Sequence, residues 1–554
     1  MKLPPVILCG GLLVNLTVLG SESTKLSGPI VELPPMVVTS NQGLTWQHTE
    51  MPGYEILSCC SVSVTRDFML ELGRAETLVQ YLLPKEYWPT SDVPRVVILS
   101  IPENLRLMPR ELLNEDNGNP GFVYRGKRLN LDGSEIIPNI ELGDQDCSMV
   151  FATLDPRSLD RERFMMHPAH VRVLLANRRP PWPDWLVAGV ANLYTGLFRA
   201  MLQDRNDTFS IPNLEWISGE ATGRKSGMPR AGQENERNRF MPLQAMLSHE
   251  PSLGSAEWPL WNAQATLFVR WALCNESPSR KKAFWRFVAR TADGEPATES
   301  MFREAFGCGY DQALVELNEY LAIAIKGQVE VHLPKASPAM TDIRPASDTE
   351  ILRIKEDWTR LAAAYLRARY PEAEPLDNRH RAALRACENG NLDPRLLAAV
   401  GLCESDTGHD ISARAFLESA TESKVVRPRA YYELARLRYA MVRRFDGSLI
   451  SAVDADWAVA PLLVAFGQSP ALKDSYSLAA KIWLNSEFIL TPEKLRLLNR
   501  GLELFPEDMD LLYNVASLNH KYGSKEDAMR LAERGLRLST HSEMRSEFEK
   551  LRSN

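Results

Sequence analysis

The sequence predicts an α+β N-terminal part that is followed by an all-α array of helical repeats. Runs of β-branched residues such as Val96–Ile101 occur before about Asp155, whereas apolar residues recur at helical spacing from about Asp160 onward. Near the C-terminus, a group of residues recurs after 34 positions, a period that is typical of stacked helix pairs.

The first residues have the pattern of a secretory signal peptide. Lys2 precedes an apolar run, Val6–Leu19, which ends at the small residues Gly20 and Ser21. A buried N-terminal strand or helix is the alternative, but no capping residues surround the run. We therefore expect residues 1–20 to be removed and the protein to be exported to the periplasm or the extracellular space.

The bulk composition limits the possible partners. Of the 554 residues, 44% are hydrophobic and 24% are charged, and the net charge is -7, as in ordinary soluble globular proteins. No cluster of lysine and arginine offers a basic face to nucleic acid, and no run after the signal peptide reaches the ~20 apolar residues of a membrane span. We expect a protein or peptide partner, no nucleic acid and no integral membrane segment.

The cysteines do not predict a disulfide framework. The chain has 8 cysteines, and removal of Cys9 with the signal peptide leaves an odd number, without a Cys-x-x-Cys spacing. We interpret those that remain as small buried hydrophobic residues.

Residues 31–155 are predicted to form the α+β N-terminal domain. Tyr54–Val64 and Val96–Ile101 are rich in β-branched residues and predict strands, and Met36–Thr39 predicts a shorter strand. Between the longer two, Thr65–Leu83 has apolar residues at helical spacing, and Pro84 ends this helix.

The rest of the chain is predicted to be helical. Residues 160–325 form a helical domain with a polar insertion between Asp204 and Asn238, which we interpret as a surface loop. Its aromatic residues at helical spacing, Trp261, Phe268, Trp271, Trp285 and Phe287, are interpreted as core. Residues 326–349 contain three prolines and predict a linker, and residues 350–554 predict the helical array.

One stretch of the helical domain has the spacing of a metal site. Met166–Val171 (MHPAHV) is followed by Pro183–Ala191 (PDWLVAGVA). Residues four apart lie on one face of a helix, so two histidines can bind one zinc ion while a glutamate from a second helix completes the site. The stretch resembles the core of the gluzincin, or peptidase MA-like, zinc metallopeptidases, in which one helix carries His-Glu-x-x-His and the next carries Trp-Leu-x-Glu-Gly-x-Ala.

The residues that would bind zinc are replaced in this chain. By this resemblance, Met166 occupies the position of the first histidine, His167 that of the general-base glutamate and Ala188 that of the third ligand, so only His170 matches. A single imidazole cannot hold a catalytic zinc ion, and a thioether is a poor zinc ligand. We predict no catalytic residues, no bound metal and no cofactor, and a remnant site at Met166, His167, His170 and Ala188. Metal binding by His167 and His170 alone is the alternative.

A 34-residue repeat occupies the end of the chain. Arg496-Leu497, Arg500-Gly501-Leu502 and Leu504 recur as Arg530-Leu531, Arg534-Gly535-Leu536 and Leu538. The last unit resembles the tetratricopeptide repeat (TPR), in which paired helices bury their apolar faces by stacking on neighbouring units. By this resemblance, its packing residues are Leu512, Val515, Ala516, Asn519, Ala528, Ala532 and Gly535. The resemblance fades to irregular helix pairs between Ile351 and Glu487, and a plain helical bundle is the alternative.

These features favour an exported, non-catalytic protein that binds or scaffolds other proteins. It would combine a pseudo-metallopeptidase domain with a TPR-like array whose concave surface receives the partner. A zinc-dependent metallopeptidase with displaced ligands, for example His167, His170 and Glu162, is the competing hypothesis. A third is an assembly subunit whose array packs only against copies of itself.

Overall fold

A mixed sheet of six strands lies at the centre of the N-terminal part. The computed structural model describes residues 45–88, 91–101, 121–124, 127–130, 139–154, 175, 178, 180–202, 240–252, 255–274, 277–326, 342–369, 377–444, 446–539 and 542–553. The strands are β1 (Gln47–Met51), β2 (Tyr54–Ser58), β3 (Arg95–Ser100), β4 (Gly121–Tyr124), β5 (Lys127–Asn130), β6 (Asn139–Gly143), β7 (Ser148–Thr153) and β8 (Arg344–Pro345). Their order in the sheet is β6-β7-β3-β2-β1-β8, with β4 and β5 as a separate hairpin. The central strands β2, β3 and β7 run parallel, and the outer pairs are antiparallel.

Both faces of this sheet are buried, which explains why β3 is apolar along most of its length. Successive side chains of a strand point to opposite faces. Val97 and Leu99 pack into the core shared with the helical domain, whereas Val96 and Ile98 pack on the other face with Trp358 of the array. A sheet covered on both faces requires such continuous apolar strands. The strand predicted for Val96–Ile101 is confirmed.

The first helix begins earlier than the sequence predicts. α1 spans Val62–Leu82, and its N-cap residue Ser61 accepts a hydrogen bond from the backbone N–H of Val64 at 3.3 Å. This cap satisfies a backbone donor that the helix start would leave unpaired. The strand predicted for Tyr54–Val64 therefore ends at Ser58, and the prediction for its last residues was wrong. The strand predicted for Met36–Thr39 lies outside the described residues.

The helical domain surrounds an aromatic core. Its described helices are α2 (Asp184–Leu202), α3 (Leu243–Ser248), α4 (Trp258–Leu273), α5 (Pro278–Ala292), α6 (Glu299–Phe306) and α7 (Tyr310–Lys326). The Trp185 ring lies 5.4 Å from that of Phe268 and 5.9 Å from that of Phe284, between ring centroids. The five aromatic residues interpreted as core are buried, so that interpretation is confirmed. The polar insertion between Asp204 and Asn238 lies outside the described residues.

The segment before the array is tied to the sheet. Within the stretch predicted as a linker, β8 pairs with Gln47 and His48 of β1, and the next helix begins at Asp348. Two residues of strand are too short for any pattern in the sequence to reveal them. The array therefore starts at a fixed point on the sheet edge.

The C-terminal part is the all-α array that the sequence predicts. Its helices are α8 (Asp348–Arg369), α9 (Asp377–Glu388), α10 (Pro394–Asp406), α11 (Asp410–Glu422), α12 (Pro428–Val442), α13 (Ala452–Ala465), α14 (Lys473–Leu484), α15 (Pro492–Leu504), α16 (Met509–Tyr522), α17 (Lys525–Leu538) and α18 (Ser542–Ser553). Consecutive helices pack as hairpins, and α8, α10, α12, α14, α16 and α18 each pack on the next of that set. This is the stacking of a TPR-like array. Among all the described helices, none is long and apolar enough to cross a membrane.

The 34-residue repeat has a packing basis at its two glycines. A Cβ atom on Gly501 would lie 2.4 Å from the Tyr476 ring, and one on Gly535 would lie 2.4 Å from the Phe548 ring. Only glycine allows a ring to approach the helix so closely. The packing residues predicted for the last unit, namely Leu512, Val515, Ala516, Asn519, Ala528, Ala532 and Gly535, are buried.

Candidate functional site

Most of the described part of the motif interpreted as a lost metal site is buried, including Trp185, Leu186 and Ala188. Ala188 of α2 has no exposed surface, and a Cβ on the next residue, Gly189, would lie 2.4 Å from Cγ2 of Val269. One turn later, Asn192 donates hydrogen bonds to Asn262 and Thr266 of α4, at 3.0 and 2.8 Å. Met166, His167 and His170 lie outside the described residues, so their role as a lost site stays a prediction.

The hairpins give the array two edges with different surroundings. We call the turns between hairpins, residues 389–393, 423–427, 466–472 and 505–508, the domain-facing edge. We call the turns within hairpins, residues 407–409, 443–444, 446–451, 485–491 and 523–524, the open edge. The open-edge turns are linked to one another, since Ile450 N–H donates to Asn485 O at 3.1 Å and Tyr522 Oη donates to Phe488 O at 3.1 Å.

The domain-facing edge adjoins the N-terminal part. Ser469 N–H donates to the Asp92 carboxylate at 2.8 Å, and Asp92 N–H donates to Ser469 O at 2.9 Å. Further along, Pro506 lies against Gly294, because a Cβ on that glycine would lie 3.1 Å from the proline ring. The array therefore contacts both the sheet domain and the helical domain along this edge.

A buried ion-pair network joins the turn between β6 and β7 to the array. Arg427 donates to Asp146 at 3.0 Å through Nε, and to both oxygens of Asp357 at 3.0 Å through its terminal nitrogens. Beside it, Oδ2 of Asp144 lies 2.6 Å from Nη2 of Arg360 and 2.5 Å from Nη1 of Arg429. Burial opposes ionisation of Asp144, but these arginines outweigh it and hold the pKa of the carboxyl well below its usual range. The network extends through Arg429 to Asp406, at the end of α10 and next to the first open-edge turn.

A second buried pair anchors α8 to the sheet. Glu55 of β2 receives two hydrogen bonds from Arg353 and lies 2.7 Å from Nε2 of His48. Burial raises the pKa of Glu55, but the hydrogen bonds from His48 and the charge of Arg353 outweigh it and lower the pKa to about 2. The carboxylate is therefore ionised at neutral pH, and the pair fixes the position of the first array helix.

Large apolar side chains are exposed along the open edge. Val453 and Ile489 are 79% and 78% exposed, and the set comprises Ile411, Met441, Leu449, Val453, Ile489 and Met529. Leu392, Val426, Leu463 and Val464 are also exposed at or near the other edge, but that edge is already engaged with the N-terminal part. Large apolar side chains exposed along one edge are candidates for contact with a partner.

A pocket of about 950 Å³ lies beside the first open-edge turn, where polar side chains converge. His380 of α9 is the centre of this group, with Nδ1 at 2.6 Å from Glu356 Oε1 and Nε2 at 2.7 Å from Glu404 Oε1. His409 also lies 3.3 Å from Glu404. Hydrogen bonds with Cys403 and Glu356 raise the pKa of His380 to about 11, so the imidazole is protonated at neutral pH.

No local pattern in the sequence indicates this group. Glu356, His380 and Glu404 lie 24 residues apart in each step, but this spacing brings them together only through the lengths of α8, α9 and α10. None of the residues proposed from the motif belongs to it. Among the described residues, the two sets of His, Cys, Asp and Glu that could hold a metal ion are Glu356, His380 and Cys403, and His48, Glu50 and Glu55.

Comparisons with known proteins return TPR structures. No protein family profile and no curated protein sequence matches the chain. Solved structures do match: YrrB, described as a TPR protein with an unusual peptide-binding site, has 12% identity and a TM-score of 0.27 over 37% of this chain and 98% of its own. TTC0263, a TPR protein from Thermus thermophilus, has 16% identity and a TM-score of 0.24 over 35% and 98%. The TPR domain of P58(IPK) has 13% identity and a TM-score of 0.15 over 54% and 84%. The TPR-like assignment of the array rests on its helix stacking and its 34-residue repeat.

Proposed function

We propose that this chain is an exported, non-catalytic scaffold that binds a protein or peptide partner at the open edge of its TPR-like array. The observation that supports the proposal is the contrast between the edges. Turns of the domain-facing edge contact the chain's own N-terminal part at Arg427 and Ser469, whereas the open edge exposes apolar side chains such as Val453 and Ile489. Burial of these side chains by a partner would provide the driving force for binding.

This location replaces the concave surface that the sequence suggests for a partner. In the described residues, the first array helix already faces the sheet, since Trp358 and Leu361 of α8 pack in the core on that side. A partner peptide that bound α8 on this side would have to displace the buried ion pair between Asp357 of that helix and Arg427 of the domain-facing edge. The open edge is accessible without such a cost.

The binding proposal is tested by a peptide-display selection against the full-length chain. Selected peptides should bind the Val453→Asp/Ile489→Asp double variant at least about tenfold more weakly than the native chain, because both substitutions place charge in a desolvated contact. Leu392→Asp is the matched control, since Leu392 is 69% exposed at the other edge, and it should bind as the native chain does. Equal binding to all three proteins would contradict the proposal.

Self-assembly is separated from foreign-partner binding by light scattering over a range of concentrations. If the chain binds other proteins and does not assemble with itself, its measured molar mass should stay constant across that concentration range. A mass that rises in the native chain and falls in the double variant would instead assign the open edge to contacts between copies.

We further propose that the helical domain is a gluzincin-like domain that has lost its metal site. The support is the sequence motif together with the burial of Ala188, at the position of the third ligand, in the apolar core. The native chain with added zinc should not cleave casein. Zinc-dependent cleavage that disappears in the His170→Ala variant would establish the displaced-ligand peptidase instead.

Export is proposed from the N-terminal sequence alone. Residues 1–30 fused to alkaline phosphatase, an enzyme that needs the oxidising compartment for its disulfides, should give activity in a bacterial host. The matched control carries Leu12→Arg and Val14→Arg, which interrupt the apolar run and should abolish activity. Equal activity of the two fusions would contradict export by this segment.

A further inference from the structure

Three side chains from the first three array helices converge beside the pocket at the open edge. Glu356, His380 and Cys403 each offer one ligand atom, and the three atoms lie within 4.8 Å of one another. Glu356 and Cys403 are buried and His380 is 15% exposed. We propose that Glu356, His380 and Cys403 form a zinc-binding site whose fourth position faces the pocket.

The donor set favours zinc over the harder cations. One imidazole nitrogen, one thiolate and one carboxylate oxygen are ligands that zinc accepts together in a tetrahedral arrangement, whereas magnesium and calcium prefer oxygen alone. Three protein ligands with one open position is the arrangement of zinc sites that exchange water or bind an external group. This site is unrelated to the motif between Met166 and Ala188.

Glu404 occupies the position of an orienting partner for the histidine. It lies 2.7 Å from Nε2 of His380, on the side of the ring away from Nδ1, which faces Glu356 at 2.6 Å. A carboxylate on the outer nitrogen of a metal-binding histidine fixes the tautomer and raises the basicity of the inner nitrogen. Glu404 is therefore a positioning residue, and Nδ1 is the ligand atom.

The spacing of the ligand atoms is compatible with a small adjustment. Atoms bound to one tetrahedral zinc at about 2.0 Å are about 3.3 Å apart, so Nδ1 and Oε1 must separate by less than an ångström from their hydrogen-bond distance. Zinc binding releases the proton held between them and the proton of the Cys403 thiol.

The charge of this group distinguishes it from the other candidate set. Glu55, in the set with His48 and Glu50, is neutralised by two hydrogen bonds from Arg353. Glu356 and Glu404 instead pair with His380, and Glu404 pairs also with His409. Once zinc displaces the Nδ1 proton of His380, the Glu356 carboxylate and the Cys403 thiolate bind the ion, while Glu404 stays on the outer nitrogen of the ring. The pocket, lined by His380, Cys403 and His409, provides its route of entry.

Cobalt titration of the full-length, reduced chain tests the site, because a cobalt–thiolate bond gives a near-ultraviolet charge-transfer band. The native chain should develop this band with saturation at about one equivalent, and zinc should abolish it by displacement. Cys403→Ser should lose the band. Cys387→Ser is the matched control, a cysteine of α9 that is 8% exposed against 7% for Cys403, and it should keep the band. Glu404→Gln should keep the band with about 10- to 100-fold weaker cobalt binding.

Two results would overturn the proposal: no band in the native chain, or a band that persists in Cys403→Ser. Metal bound by His167 and His170 would give no thiolate band and is thereby distinguished. If circular dichroism shows that Cys403→Ser does not fold, the site can be tested in the native chain by mapping which cysteines are alkylated with and without zinc. Zinc should protect Cys403 but not Cys387, and equal protection would rule the site out. These measurements need no partner, so they test the zinc site even if no partner binds at the open edge.

Discussion

At the domain-facing edge, the array meets the rest of the chain through buried arginines and carboxylates, and at the open edge the same hairpins end in turns with exposed apolar side chains. Arg427 and Asp357 represent the first edge, and Val453 and Ile489 the second. The stacking of hairpin on hairpin constrains interior positions such as Gly501 and Gly535. The turns lie outside this constraint, so one edge can serve intramolecular docking while the other stays available.

The largest expected effect comes from breaking the domain-facing network at Arg427. Arg427→Ala should lower the free energy of unfolding by about 3–5 kcal/mol, because it removes the guanidinium group that pairs with two buried carboxylates, Asp146 and Asp357. The measurement is the shift of the urea midpoint. Arg444→Ala is the matched control, an exposed arginine in an open-edge turn, and it should change stability by less than about 0.5 kcal/mol. Similar effects of the two variants would show that the edges do not differ.

Acid should weaken the docking of α8 on the sheet through Glu55. Its pKa is about 2 in the folded protein against the ordinary value of 4.5. A lowered pKa contributes stability that is present above pH 4.5 and is lost as the pH falls toward 2, and this shift corresponds to about 3 kcal/mol. Unfolding in urea at a series of pH values measures the loss. Glu55→Gln should be less stable at pH 7 and show a flatter acid limb, and an unchanged limb would contradict the assignment.

A smaller loss of stability is expected from substitutions in the interior of the array, between its two edges. Gly535→Ala should lower stability by about 1–3 kcal/mol, because its Cβ would overlap the Phe548 ring. Phe548→Leu in the same chain should recover part of the loss. Gly467→Ala is the matched control, since its Cβ would meet nothing nearer than Val464 O at 3.5 Å. Equal costs at both glycines would argue against ring-on-glycine packing as the basis of the repeat.

Local sequence signals predicted the parts of this molecule that are decided locally. The apolar run of β3 was identifiable because burial on both faces requires it, and the repeated glycines Gly501 of α15 and Gly535 of α17 because hairpin stacking requires them. The end of β2 was misplaced because the Ser61 cap outweighs the β-propensity of Val62 and Val64. The two residues of β8 carried no pattern at all.

The site residues depend on tertiary contacts, which one sequence does not reveal. Arg427 and Asp146 are 281 positions apart, and nothing near either residue marks the other as its partner. Cys403 was interpreted as a small buried hydrophobic residue, which its burial supports. Only the lengths of the helices and turns between Glu356 and Cys403 bring a histidine and a carboxylate beside it.

The smallest change in stability is expected at the open edge. It tests directly whether this edge is exposed, in contrast to the domain-facing edge. Val453 lies in the first turn of α13, two residues after the N-cap residue Ser451. Val453→Asp should therefore raise the free energy of unfolding slightly, by about 0.3–1 kcal/mol, because a negative charge there favours the helix dipole, and Val453→Lys should lower it by a similar amount. Urea unfolding at low ionic strength measures both. If Val453→Asp instead costs more than about 1 kcal/mol, this side chain is covered in solution, and the two edges are both engaged within the chain or between its copies.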